Sequence, residues 1–343
     1  MDISILMPCL NEEETLASCI KKAKKWIAEH PEWVSEVVVA DNGSTDSSLD
    51  IAKQLGARVI NVSEKGMGAA LLEGSKQANG KWIIMGDSDD SYDFSKLDGF
   101  ITKLNEGYDL VVGNRFKGGI EDGAMPTLNR YLGNPVLTLI GKIFFHTPIN
   151  DFHCGLRGIS KESFLKLDLQ SRGMEYYTEM AIRASLMKMR ICEVPTTLAK
   201  DGRSRPPHLK PWRDGWRNLR FMLLYAPEWL FYVSAFLLFL LALLMFSAAL
   251  ALPFIALGLF GLGSGLIIRQ IGVLQNRFVS SSILKFLVKN AEILAVVSFI
   301  FLFSSIVLTF ISSNTLIISY LLTVFGSCFY TFCGLLFFSL PKR

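Results

Sequence analysis

Short β-type apolar runs alternate with helix-type segments along the first part of this chain, and that rhythm constrains the fold more than any other feature. Strands are expected at 3–7, 36–40, 58–62, 82–85 and 110–112, and helices at 13–29, 47–55 and 68–78. Parallel strands need a long crossover between them, and a helix supplies it. A βαβ rhythm therefore predicts an open, largely parallel sheet with helices on its faces, an α/β fold of Rossmann-like type. In such sheets ligands bind outside the carboxyl ends of the strands, where loops converge.

Three of those loops are chemically loaded. "PCLNEEE" (8–14) follows the first expected strand, "DNGSTD" (41–46) the second, and "GDSDDSYDF" (86–94) the run Trp82-Ile83-Ile84-Met85. Any one alone is explained by helix capping, since Asn11 or Asp46 can satisfy free N–H groups at a helix start. Three at one sheet edge point to one site. The last loop packs Asp87, Asp89, Asp90 and Asp93 into seven residues. Carboxylates this close repel one another unless something positive sits between them, as a hard divalent cation held by oxygen ligands does. With the Asp-x-Asp spacing of Asp87 and Asp89, a strand-end turn can aim both side chains into one crevice. There a magnesium or manganese ion would bridge them to a diphosphate. A solvated acidic turn is the alternative.

The last third of the chain has a different character. Half of the 343 residues are hydrophobic, and the stretches 229–252, 254–274, 291–311 and 316–340 are apolar over roughly 20 residues each, the length that spans a bilayer. Four transmembrane helices are expected. The second contains Gly258, Gly261, Gly263 and Gly265 with Arg269 near its end, so a re-entrant or buried segment is its alternative reading; its small faces also permit association into homo-oligomers. Lys210, Arg213, Arg217 and Arg220 precede the first stretch, Arg269, Arg277, Lys285 and Lys289 separate the second from the third, and Lys342 and Arg343 close the chain. The turns near Pro253 and at 312–315 carry no charge. By the preference of basic loops for the cytoplasm, both termini and the polar domain are expected inside.

Met1-Asp2-Ile3-Ser4 has no signal-peptide pattern, and six cysteines without Cys-x-x-Cys spacing read as reduced packing residues. The net charge of +4 is small, and no nucleic-acid partner is expected. Residues 200–220 nevertheless hold seven basic residues against two acidic ones, a collar suited to an anionic bilayer surface. Two further segments bear on that surface. Residues 131–145 are too apolar for a fully solvated helix, and 212–225 alternates Trp212, Trp216, Leu219 and Phe221 with Arg213, Arg217 and Arg220. Core helices are the alternative for both.

"PCLNEEETL", "VVVADNGSTDSS", "KGMGAALLEGSKQANGKWIIMGDSDD" and "VVGNRF" resemble family 2 glycosyltransferases of the GT-A fold. More closely they resemble the polyprenyl-phosphate glycosyltransferases, the group that includes dolichyl-phosphate mannose synthase and bacterial undecaprenyl-phosphate glucosyltransferases with appended membrane helices. The resemblance runs from about residue 1 to 205. It implies that Pro8, Asn11 and Glu12 form a nucleotide-contacting loop and that Asp41 binds base or ribose. Asp87 and Asp89 match the metal-binding pair, with Asp89 the direct ligand. Arg115 matches a basic residue near the phosphates, and Asp151 an acidic residue implicated in catalysis, with Arg157 in the same motif. The family often has Leu-Gln or Leu-Ser after the pair, where this chain has Asp90-Ser91.

The division expected is a GT-A catalytic domain over 1–210, an interfacial amphipathic helix over 211–228 and a membrane domain over 229–343, in a bacterial inner membrane. The partners implied are a nucleotide-sugar donor, UDP-glucose first, and a polyprenyl phosphate, with GDP-mannose and dolichyl phosphate second. A phosphate monoester, with a second pKa near ~6, is already mostly dianionic at neutral pH, so such an acceptor needs positive charge to hold it rather than a base to activate it. Arg115, Arg157, Arg203 and Arg205 are candidate holders, because a guanidinium grips phosphate in a planar fork. A processive polysaccharide synthase would carry Gln-x-x-Arg-Trp, which is absent here. A lipid translocator or scaffold with a relic domain is the non-enzyme reading, and the intact Asp-x-Asp pair weighs against it.

Overall fold

The structure, a computed structural model, describes residues 1–204, 211–243 and a few positions between 254 and 262. The chain divides into two compact units, Met1–Met222 and Leu223–Arg343. In the first unit, strands and helices alternate as β1 (Ile3–Cys9), α1 (Leu16–Glu29), β2 (Ser35–Asp41), α2 (Ser48–Gln54), β3 (Arg58–Asn61), α3 (Met67–Gln77) and β4 (Trp82–Met85). There follow α4 (Asp98–Asn105), β5 (Leu110–Asn114), α5 (Arg115–Gly118), a π-helical turn at Asn129–Gly133, α6 (Asn134–Phe145) and β6 (Arg157–Ser160). α7 (Lys161–Leu167), α8 (Tyr176–Leu186), β7 (Ile191–Pro195) and α9 (Pro211–Tyr225) come next.

The strands form one seven-stranded sheet in the order β3-β2-β1-β4-β6-β5-β7. All are parallel except β6, which runs antiparallel to both β4 and β5. β1, with every residue buried, and β4, likewise, form the centre, as near-continuous apolar strands do when helices cover both faces. Pro8 is tolerated in central β1 because its missing N–H faces the β4 side beyond the end of β4. There Leu6 O still accepts from Gly86 N, whereas two residues on Pro8 O accepts from the Ser88 hydroxyl at 2.6 Å.

The sheet is largely parallel, as expected, and its one reversed strand, β6, is not among the expected strands. The reversal brings the amino end of β6 to the edge where β4 and β5 end, pairing Arg157 with Met85 on one side and Val112 on the other. The expected helix at 13–29 begins later, at Leu16. Residues 11–15 are spent on the site instead, with Asn11 in the left-handed region at φ 58° and a tight turn in which Leu16 N donates to Glu12 O.

In the second unit the described element is α10, Pro227–Leu243, 17 residues long. Among the described residues no helix is long and apolar enough to cross a membrane. Of the other three expected spans, 254–274 is described at only some of its first positions and 291–311 and 316–340 lie outside the described residues, so the four-helix membrane domain is not part of what the structure shows.

Candidate active site

The loops after β1, β2 and β4 are tied into one crevice wall by side chains reaching across them. Asn11 N donates to Ser44 Oγ at 2.9 Å, and its Oδ1 accepts from Thr45 N at 2.8 Å. Glu12 N donates to Ser48 Oγ at 2.8 Å, and Glu13 N to Asp46 at 3.1 Å. Thr15 donates to Ser88 O at 2.7 Å. Asn11 therefore cross-links two loops rather than capping a helix; neither α1 nor α2 has a side-chain cap bond. Asp41, almost fully buried, accepts from Gly43 N and Ser44 N and shapes the second loop; Gly43 sits at φ 91°, where a side chain would be strained.

The four carboxylates behind β4 separate by orientation. Asp90, in the left-handed region at φ 65°, turns toward α1 and binds Lys22 at 2.7 Å and Ser18 at 2.9 Å. Asp93 accepts from the backbone and hydroxyl of Ser95 and faces Lys96. Asp87 and Asp89 remain. Asp89 Oδ1 is held by Ser91 N and Oγ, and its Oδ2 lies 2.5 Å from Arg203. Asp87 receives no hydrogen bond among the described residues. Burial and then the Asp89 charge push its carboxyl up to about 7, against the pull of Arg203 and Arg115.

A pair of oxygen donors with one carboxylate unpaired and raised by its neighbour fits a hard divalent cation. Among the described residues no group of three or more acidic, histidine or cysteine side chains forms a complete metal cage. Magnesium-type sites commonly rest on one or two carboxylates and take their other ligands from substrate phosphates and water.

Arg203 occupies a different place from the collar position expected of it. Its guanidinium lies 3.1 Å from Glu12 and 3.4 Å from Asp201 as well as against Asp89, so it sits inside the acidic crevice. Arg205 lies outside the described residues. Arg115 and Asp151 face each other. Asp151, fully buried, accepts from Arg115 N at 2.9 Å, Nε at 2.8 Å and Nη2 at 2.7 Å, a bidentate pair closed by a backbone bond. Arg157 is also fully buried. It donates to the carbonyls of Cys154, Phe152 and Tyr177 and stacks on the Tyr177 ring, which makes it a brace for residues 152–154 with no face turned to solvent.

Three residues were not singled out from sequence. Glu193 accepts from Asn150 N at 2.6 Å, Asp151 N at 2.8 Å and the Asn114 amide at 2.9 Å, and so sets the loop carrying Asp151 against β5. A lone carboxylate inside the strand ICEVP was its signal. Tyr92 accepts from Gly155 N at 2.9 Å and holds that glycine against Asp87, where an added Cβ would come within 2.7 Å of Oδ2. His153 lies between Asp151 and Gly155 in sequence with neither ring nitrogen partnered among the described residues, and no sequence pattern announced it.

The sheet with its single reversed strand and the acidic loops at its carboxyl edge define a mixed α/β fold of Rossmann-like type. The model of glycosyl transferase family 2 matches residues 4–168. Glycosyltransferase AglJ of Haloferax volcanii is 33% identical over 224 residues, covering 65% of this chain and 71% of that protein. The chain belongs to glycosyltransferase family 2. The Low-salt glycan biosynthesis hexosyltransferase Agl6 of the same organism is 39% identical over 67% of this chain, which spans only 55% of that protein's length. The same organism's Dolichyl-phosphate hexose transferase is 30% identical over 57% of this chain and 81% of its own. Among solved structures, glucosyl-3-phosphoglycerate synthase from Mycobacterium tuberculosis, in complex with Mn2+, UDP and glucosyl-3-phosphoglycerate, overlays with a TM-score of 0.51 at 22% identity. That overlay covers 65% of this chain and 78% of that one. At that identity the likeness shows the GT-A fold alone.

Proposed function

We propose that the chain is a membrane-bound inverting glycosyltransferase that moves a hexose from a nucleotide diphosphate, UDP-glucose first, to a polyprenyl phosphate. The observation that carries this reading is the placement of Asp87 and Asp89, free of Asp90 and Asp93, in a crevice that also holds Arg203. Asp89 and Asp87 would hold the divalent cation, Mg2+ or Mn2+, which supplies positive charge at the departing diphosphate. Pro8, Asn11, Glu12 and Asp41 shape the pocket for the nucleotide. The Arg115–Asp151 pair, locked by Glu193, fixes the far wall.

A lipid acceptor is supported by two exposed faces of the first unit. Tyr131, Leu132, Val136, Leu139 and Ile143 stand out from the π-helical turn and α6, with Tyr131 71% exposed. α9 exposes Trp212 at 77% and Trp216 at 62% beside Arg213, Arg217 and Arg220, while Arg217–Glu175 and Asn218–Thr178 contacts dock it on α8. Tryptophan and tyrosine beside arginine are the residues that settle at a membrane interface. The name of the relative called a dolichyl-phosphate hexose transferase supports the same acceptor class, and GDP-mannose with dolichyl phosphate is the second reading. The catalytic domain would then face the cytoplasm, where sugar nucleotides are made.

Membranes containing the protein, incubated with radiolabelled UDP-glucose or GDP-mannose, a polyprenyl phosphate and Mg2+ or Mn2+, should yield an organic-extractable, mild-acid-labile lipid. Thorough chelation should abolish it. Undiminished turnover after chelation would reduce the Asp87–Asp89 pair to an acidic turn.

A further inference from the structure

Asp89 has one oxygen committed to its own loop and one that is not. Oδ1 accepts from Ser91 N at 3.1 Å and from the Ser91 hydroxyl at 2.5 Å, whereas Oδ2 accepts from Nη2 of Arg203, 114 residues further along the chain, at 2.5 Å. Oδ2 is therefore the oxygen with which Asp89 would hold a cation, and a guanidinium already stands on it. The same group reaches Glu12 at 3.1 Å through Nη1 and Asp201 at 3.4 Å through Nη2. Its Nε has no partner among the described residues and is shut off from solvent.

Arg115 is held in the opposite way. Its Nε and Nη2 grip both oxygens of Asp151 in one fork, the strong way for a guanidinium to hold a carboxylate. Arg203 instead spreads single bonds over three carboxylates and strands a buried donor, an arrangement that favours charge balance over grip. The strap that carries it is fastened by other means. Ala199 N donates to Ser91 O and Gly202 N to Asp89 O, both at 2.9 Å, and Ser204 binds Glu14 through its N at 2.7 Å and its hydroxyl at 2.5 Å. The guanidinium can leave the carboxylates while the backbone on either side of it stays tied. With no positive charge among them, Glu12, Asp89 and Asp201 would repel one another.

We infer that Arg203 is the resident counter-cation of the Asp87–Asp89 pair: it neutralises Asp89 and its acidic neighbours in the metal-free protein, and its side chain swings off Asp89 Oδ2 when a divalent cation takes that oxygen. The inference rests on the metal-dependent reading above. The Arg203 and Asp89 side chains are only 12% and 14% exposed, so a guanidinium and a metal ion sharing Oδ2 would repel each other with little screening by water. A site that carries its own charge does not collect metal from dilute solution. It keeps a cation once substrate phosphates add further ligands.

The test is Mn2+ binding to the full chain in nanodiscs, followed without nucleotide by the electron paramagnetic resonance signal of the free ion, in wild type, Arg203→Gln, Arg203→Lys and Asp89→Asn. The Gln variant should bind Mn2+ roughly ten- to a hundredfold tighter than wild type, the worth of one hydrogen bond between charged groups. Lys, which keeps the charge, should stay closer to wild type, and Asp89→Asn should bind least. Unchanged or weaker binding in the Gln variant, with Asp89→Asn still impaired, leaves the metal reading standing and overturns the inference. Lys as tight as Gln removes charge as the cause and overturns it too. A second measurement needs no variant: in the wild-type protein, saturating Mn2+ should speed phenylglyoxal modification of Arg203 severalfold, read by mass spectrometry of its peptide, while Arg115 in its buried fork stays unreacted. An Arg203 rate that Mn2+ leaves unchanged or lowers overturns the inference whether or not the Gln variant folds. If neither wild type nor the Gln variant binds Mn2+, with or without UDP or GDP, the metal reading itself fails, and the inference with it.

Discussion

At the scale of single residues, the acidic loop sorts four like charges by where the backbone turns them. Asp89→Asn isolates the charge from the fold. An amide oxygen can still accept from Ser91 N and Oγ, so the loop should keep its shape while the site loses a charge. Turnover should fall to background with the unfolding temperature little changed, and near-wild-type rates would refute a metal role. Asp151→Asn should behave oppositely. It leaves the Arg115 guanidinium buried without its counter-charge, and breaking such a pair from one side costs on the order of 3–5 kcal/mol. Chemical denaturation of the two variants separates them. That the loops after β1, β2 and β4 carry the site was legible in composition and order. The Asp-x-Asp spacing also singled out Asp87 and Asp89; what it did not show is where the remaining carboxylates go, because that rests on one left-handed residue, Asp90, and on Lys22 a helix away.

At the scale of elements, β1 to β5 announce themselves by apolar runs ended by turn residues. β6 and β7 do not. β6 is four residues, RGIS, opening on an arginine and a glycine, and β7, ICEVP, carries a carboxylate and ends on proline. Their strand character comes from neighbours already in place, which a local pattern cannot show. The other end of the sheet has its own polar knot. Glu36 on β2 accepts from Ser4 on β1 at 2.6 Å, from Arg58 on β3 at 2.8 and 3.0 Å, and from Asn79 N at 2.8 Å. Burial would raise this carboxyl, but the Arg58 and Ser4 bonds outweigh it and bring it down to about 2. Because the folded value lies below the unfolded one, the knot's contribution is complete above about pH 4.3 and is lost as pH falls toward the folded value. Glu36→Gln should remove on the order of 2–3 kcal/mol at neutral pH and flatten the acid limb of the unfolding midpoint against pH, as measured by circular dichroism. An unchanged limb would show the knot to be neutral for stability.

At the scale of the whole molecule, a polar α/β unit is joined to a far more apolar last third. The membrane reading rests on the apolar length of that last third and on the placement of its basic loops. Its test is topological. In a chain whose native cysteines are replaced, a membrane-impermeant thiol reagent applied from outside should label a cysteine at position 313 and spare one at 281. Reversed labelling would move the catalytic unit to the far side and deny it cytosolic sugar nucleotide.

The reversed strand β6 also governs the order in which the molecule can be made. Among the described residues β5 pairs with β6 and β7 alone, and β4 meets β5 through β6. While the chain emerges from the ribosome, β1 to β4 can assemble as soon as they appear, but β5 has no strand to join until residue 160 is out. Until then β4 presents an open edge, and the Arg115–Asp151 lock has no wall to close against. The nucleotide half of the crevice is therefore built first and the other half is clasped onto it later. A nascent chain stalled between the two is the form most in need of a chaperone.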